Sequence, residues 1–192
     1  MKIFITGCAK TGTTLVRRLM NAFDGLKVYN DSEELISFLV EKDYNVVKRH
    51  ARSILSGKDP VIRWKNKTIP SIKDILQYIK QNNVKIIFCN RNKEDVILSF
   101  LKISEQAARD GAKRYDYVES IKDELSSIID FEIRYESLIN NPDEVQSNLA
   151  EKFNLSIKHK WSNYHNWYKA SEREVNKSNY LVREINSSNS SK

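Results

Sequence analysis

Glycine occurs five times and proline three times in the 192 residues, cysteine twice and histidine three times. So little glycine and proline leaves scant material for long turns or low-complexity linkers, and regular elements are expected instead. Two cysteines, Cys8 and Cys89, are too few for a disulfide framework. Both close apolar runs that read as buried strands, which suits small, reduced core residues. His159 and His165 have no metal-binding spacing with those cysteines, so no zinc site is expected. No apolar run reaches the length of a membrane-crossing helix. The opening KIFIT is too short for the apolar part of a signal peptide, so a reducing, cytoplasmic setting is expected.

Charge, by contrast, is abundant and unbalanced. Thirty-two Lys and Arg face 25 Asp and Glu, a net charge of +7. That excess suits either an anionic ligand or a plain lysine-rich solvated surface. Acids and bases are interspersed along the chain, which argues against a dedicated nucleic-acid face.

Hydrophobic periodicity predicts strands alternating with helices. Strands are expected at Lys2–Thr6, Leu26–Tyr29, Pro60–Trp64, Val84–Cys89 and Phe131–Tyr135. A helix is expected over Thr13–Phe23, with Leu15, Val16, Leu19, Met20 and Phe23 at helical spacing. Another is expected from a cap at Asp31 or Ser32 to Val40, and a third over Asp43–Leu55, stopped by Gly57. Further helices are predicted over Pro70–Gln81, after a cap at Asn92, over Tyr115–Ile129 and over Pro142–Phe153. The pattern implies an α/β fold, a three-layer α/β/α arrangement around a central parallel sheet. Residues 1–185 read as one domain, and 186–192 as a frayed tail.

In parallel sheets of this kind, ligands bind at the carboxyl ends of the strands. One such end carries GCAKTGTT, Gly7–Thr14, between a predicted strand and a predicted helix. Its two glycines have the interval of a phosphate-binding loop, whose amides and helix N-terminus favour an anion. The nucleotide-hydrolase version requires lysine and then Ser or Thr after the second glycine. Here Thr13 and Thr14 follow Gly12, and the lysine is early, at Lys10. From there an ammonium can lie beside the bridge between a phosphate and the group being transferred.

The segment KTGTT, Lys10–Thr14, resembles the loop of the sulfotransferases that use 3′-phosphoadenosine 5′-phosphosulfate. Their second signature, an arginine ending a buried strand and a serine eight positions on, is matched by Arg91 and Ser99 in IIFCNRNKEDVILSF. A third echo is IRYESLINNP, Ile133–Pro142, similar to a structural R-Y-E-x-L segment of that family. The echoes run from Met1 to about Leu155, and their order and spacing carry more weight than any one alone. The chain departs from the family in having Lys93 where proline is usual, and in lacking a clear R-K-G-x-x-G segment near its C-terminus. Lys177, Ser178 and Arg183 are the candidates left to cover the nucleotide.

The resemblance implies a P-loop-like fold and transfer of a sulfonate, without metal, to a hydroxyl or amine on a small molecule or glycan. It implies that Lys10, Thr11, Gly12, Thr13 and Thr14 hold the 5′-phosphosulfate and that Arg91 and Ser99 hold the 3′-phosphate. Arg91 is equally suited to pair with Glu94 or Asp95. By position, Glu33 matches the base of the glycan-type and bacterial members, or else it is a first-turn acid of its own helix. Glu34 and Asp31 compete with it by proximity. Lys65 resembles the lysine set against the sulfonate, or is a solvated strand-end lysine with Arg63 on its face. His50, in VVKRH, echoes the K-x-H signature of cytosolic members but falls in a predicted helix, so Glu33 is preferred. The late aromatics Trp161, Trp167 and Tyr168 either pack or stack on a ligand. The competing readings are an ATP-magnesium kinase of small molecules and a non-catalytic binder of phosphorylated ligands.

Overall fold

The computed structural model describes residues 1–32, 46–48, 79–120 and 122–164. Glu33, Glu34, His50, Arg63, Lys65, Trp167, Tyr168, Lys177, Ser178 and Arg183 lie outside the described residues, as do the predicted strand Pro60–Trp64 and the tail.

The described strands form one five-stranded sheet. They are β1 (Lys2–Gly7), β2 (Val28–Ser32), β3 (Val46–Lys48), β4 (Val84–Asn90) and β5 (Phe131–Arg134), in the order β2-β3-β1-β4-β5. Every pairing is parallel. Ile3–Ile5 of β1 and Ile86–Cys89 of β4 are consecutive buried apolar residues, as burial on both faces demands. Alternate side chains point to opposite faces. Phe4, Ile86 and Phe88 therefore enter one core cluster, and Ile3, Ile5, Ile87 and Cys89 enter the other.

Helices cover both faces. On one lie α2 (Lys93–Leu101) and α3 (Glu105–Ser120), which bring Val96, Phe100, Ala108 and Val118 against Phe4 and Phe88. Gly111 lets α3 approach α2 closely, since a Cβ there would lie 2.3 Å from a ring carbon of Phe100. The short α4 (Lys122–Ser126) follows. On the other face lie α1 (Thr13–Leu19), α5 (Tyr135–Asn140) and α6 (Pro142–Phe153). Val16, Leu19, Leu138, Leu149 and Phe153 meet Ile3, Ile5 and Ile133 there. The result is the expected α/β/α sandwich.

Four sequence expectations are corrected. β2 continues past the expected end at Tyr29 to Ser32, so Asp31 lies within the strand and caps no helix, while the helix expected after Ser32 lies outside the described residues. Pairing with β3 at Val28 and at Ser32 carries the strand across Asn30 and Asp31, which have little strand propensity of their own and lie where the register shifts. The predicted helix Asp43–Leu55 contains β3, whose Val46 and Val47 pair with Ile3 and Phe4. A short apolar run is ambiguous between the two periods, and the neighbouring strand decides it. The predicted helix Tyr115–Ile129 is two helices: α3 begins at Glu105 and ends at Ser120, and α4 ends at Ser126. Finally, Tyr135 belongs to α5 rather than to the last strand.

The segment after α6 folds back across α1. Trp161, fully buried, donates from Nε1 to the carbonyl of Leu19 at 2.9 Å, and its ring meets Phe23 edge to face. The amides of Lys158 and His159 donate to the Ala22 carbonyl. Packing, not ligand stacking, is the role of this tryptophan.

Candidate functional site

β1 is central, with β3 and β2 to one side and β4 and β5 to the other. The chain leaves β1 for the first side and returns through β4 to the second. The crevice beyond the carboxyl ends of β1 and β4 is thus a topological switch point, where α/β sheets bind ligands. Gly7–Thr14 leaves one of these ends and Arg91 leaves the other.

The loop's shape is dictated by its glycines. Gly7 has φ 145°, and a Cβ there would lie 2.3 Å from the backbone oxygen of Cys89. Gly12 has φ 92°, and its Cβ would lie 2.7 Å from Cδ2 of Tyr135. Lys10 between them is also left-handed, at φ 72°. Thr11 is buried, and its hydroxyl donates to the Cys8 carbonyl at 2.7 Å, closing the loop on itself. Gly12 is the N-cap of α1 and has no side chain with which to cap it, so the first-turn amides of α1 remain outward donors. Thr13 is buried and Thr14 exposed, which makes the Thr14 hydroxyl the more accessible. The ammonium of the exposed Lys10 lies 5.8 Å from the centroid of the Phe100 ring. No carboxylate among the described residues pairs with it.

Arg91 and Ser99 come together as expected. Asn92 caps α2, its side chain accepting from the Glu94 amide at 2.9 Å. One guanidinium nitrogen of Arg91 donates to Ser99 Oγ at 3.3 Å and to the Lys10 carbonyl at 3.4 Å, joining strand end, helix and loop. The pairing with Asp95 is present but loose, 4.0 Å from Nε to the carboxylate. Nε is buried and has no hydrogen-bond partner among the described residues. A buried guanidinium nitrogen without an acceptor suits an arriving phosphate oxygen.

Residues not singled out by the sequence as site residues complete the setting. Tyr135, in the segment read as structural, lies against Gly12 and has its ring 4.2 Å from the Arg91 guanidinium carbon. Its neighbour Glu136 accepts from the Asn92 amide at 2.9 Å. Tyr115, from α3, donates its hydroxyl to the Arg91 carbonyl at 2.9 Å. Burial, aided by Glu119, Cys8, Glu136 and Glu94, pushes the Tyr115 phenol up to about 12, so it stays a donor through the working pH range. Asn90 accepts from the Arg91 amide at 2.8 Å and donates to Glu132 at 3.1 Å. Burial acts to raise the Glu132 carboxyl, but hydrogen bonds from Lys122 and Asn90 outweigh it and hold the group below its usual range. Lys93, which stands in the family's proline position, forms an ion pair with Asp116 of α3. The R-Y-E spelling marked the segment of Tyr135 and Glu136, whereas nothing in the sequence tied Tyr115 to a site.

Among the described residues no group of three or more His, Cys, Asp or Glu is arranged for a metal, and no helix is long and apolar enough to cross a membrane. Among curated proteins none matches the chain. The family model of the sulfotransferase domain matches residues 1–192. The match covers the whole chain, so the chain belongs to the sulfotransferase family, whose members transfer sulfonate groups.

Proposed function

We propose that the protein transfers a sulfonate from 3′-phosphoadenosine 5′-phosphosulfate to a hydroxyl or amine of a small-molecule or glycan acceptor, releasing adenosine 3′,5′-bisphosphate. The observation that carries this reading is the buried Arg91 Nε without an acceptor among the described residues, on a guanidinium already joined to Ser99 and to the loop at Lys10. A nucleotide with phosphates at both ends of its ribose asks for two anion sites side by side. A triphosphate asks for one elongated site, with lysine after the second glycine, where this chain has Thr13.

When bound, the donor supplies an electrophilic sulfur whose bridge oxygen leaves with the 5′-phosphate. The first-turn amides of α1 and the Thr14 hydroxyl hold that phosphate, with Gly12 allowing its close approach. Thr11 and Thr13 act from within the loop, Thr11 by fixing its closure through Cys8. Lys10 moves from its weak contact with Phe100 to neutralise charge growing on the leaving oxygen. Arg91 and Ser99 hold the 3′-phosphate. Glu33 takes the acceptor proton as the new bond to sulfur forms, a general-base role worth roughly 10²–10⁴ in rate. Lys65 assists at the sulfonate. The last two assignments rest on sequence position.

Calorimetric titration of adenosine 3′,5′-bisphosphate without metal, and of ATP with magnesium, tests the donor class. Adenosine 3′,5′-bisphosphate is expected to bind at least about tenfold more tightly than Mg·ATP, a difference of roughly 1.4 kcal/mol. Preference for Mg·ATP would restore the kinase reading. Tight bisphosphate binding with no sulfonate transfer to any of a broad acceptor panel would favour the non-catalytic binder. With an acceptor in hand, Glu33→Gln should abolish turnover with little change in nucleotide affinity, and loss with His50→Ala instead would reassign the base.

A further inference from the structure

We infer that Tyr115 and Tyr135 are positioning residues that fix Arg91, by its main chain and by its guanidinium face respectively, in the geometry that reads the nucleotide's 3′-phosphate. The inference rests on the donor reading above.

Arginine has several rotatable bonds, and an arginine at a strand end is ordinarily free to wander. Freezing it on ligand binding costs affinity, whereas freezing it beforehand does not. Arg91 is held at both ends. At the main chain, its carbonyl accepts from Tyr115 Oη at 2.9 Å and its amide donates to Asn90 Oδ1 at 2.8 Å. The Tyr115 hydroxyl also lies 3.4 Å from Asn90 Oδ1, so one phenol spans both supports. At the side chain, the Tyr135 ring lies 4.2 Å from Cζ and the Lys10 carbonyl accepts from the guanidinium at 3.4 Å. The same ring rests on Gly12, where a Cβ would come within 2.7 Å. Loop, ring and guanidinium therefore form a closed circuit: moving any one disturbs the other two. Stacking on a ring face leaves the guanidinium edge free for an anion, because the fork of donors lies in the guanidinium plane.

Tyr115 comes from α3, an element that contributes no anion-loop residue and packs against α2 through Gly111 and Phe100. α3 therefore does more than cover the sheet. It sets the origin from which Arg91 reaches.

The test compares adenosine 3′,5′-bisphosphate with adenosine 5′-monophosphate by calorimetry on the full chain. The wild type should prefer the bisphosphate. Tyr115→Phe removes one hydroxyl and keeps the ring, so the fold is preserved; it should cut that preference by about three- to tenfold. Tyr135→Leu should cut it by about tenfold, with Tyr135→Phe restoring it, since the ring face is retained. Monophosphate affinity should stay within about twofold in Tyr115→Phe, because that ligand does not use Arg91. In an Arg91→Ala background neither tyrosine substitution should change the preference further. If both tyrosine variants discriminate as the wild type does, the positioning role is wrong and the donor reading stands. If both ligands weaken equally, the tyrosines are mere scaffolding and the inference also fails. A wild type that does not discriminate would overturn inference and donor reading together.

Discussion

Gly7 and Gly12 look alike in sequence but differ in what a side chain would strike. At Gly7 the obstacle is the backbone oxygen of Cys89, 2.3 Å from the added carbon, and a central strand cannot retreat. At Gly12 it is the edge of the Tyr135 ring, which can tilt. Gly7→Ala should therefore lower stability by about 2–4 kcal/mol. Gly12→Ala should be gentler on urea unfolding yet displace Tyr135, and with it Arg91. Equal unfolding midpoints for the two variants would contradict this. The thiols make a second residue-scale case. Burial pushes Cys8 up to about 11, with smaller opposing effects from the Ala9 amide and Arg114, and burial raises Cys89 as well. Neutral and enclosed, neither should react with a thiol reagent at pH 8 in the native state, and both should react in denaturant. Rapid native labelling of Cys8 would mean that the loop is open. The sequence already marked both glycines and Lys10 by the interval of the loop, and the Arg91–Ser99 pair by its resemblance to a family signature. It was silent on Tyr115, whose partner is 24 positions away in the chain and reached only through the packing of α3 on α2.

At the scale of elements, β1, β4 and α6 were legible because each is decided locally. The first two are built on the apolar runs Ile3–Ile5 and Ile86–Cys89, and the third has Pro142 at its start and Asn154 in the left-handed conformation at its end. β3 was not legible. Three residues carry no period, and Val46–Lys48 is a strand because β1 lies beside it. The start of α3 was read too late because its first half exposes Glu105, Gln106 and Arg109, leaving only Ala108 and Gly111 to mark the buried face. The segment after α6 has one short 3-10 helix, Trp161–Tyr164, and is held largely by side chains. Gln146 donates to the His159 carbonyl and accepts from the Trp161 amide, and Asp143 accepts from both the amide and the hydroxyl of Ser162. Trp161 then fills the core beneath α1, the helix that follows the glycine loop. Trp161→Phe, losing one hydrogen bond and part of a ring, should cost about 1–3 kcal/mol. Because the defect lies at the far end of α1, bisphosphate affinity should change less than stability does. A large loss of affinity with unchanged stability would show that the tryptophan serves the ligand after all.

Across the whole molecule, the two proposed anion sites lie far apart in sequence, one after residue 7 and one at residue 91. Parallel pairing of β1 with β4, Gly7 opposite Cys89, sets their carboxyl ends side by side. The switch in strand order opens the crevice between them. The excess of positive charge, +7, adds a general attraction for a multiply charged nucleotide. The α/β/α layering and this placement follow from alternation and connection rules and could be anticipated. Which side chains bridge the two features could not, since the closing contacts are tertiary. The most direct test is a crystal structure with adenosine 3′,5′-bisphosphate. The 5′-phosphate should sit on the amides between Lys10 and Thr14, and the 3′-phosphate on Arg91 and Ser99 with a bond to Arg91 Nε. A nucleotide seated with no phosphate at Arg91, or with its phosphates outside the crevice between β1 and β4, would contradict the account.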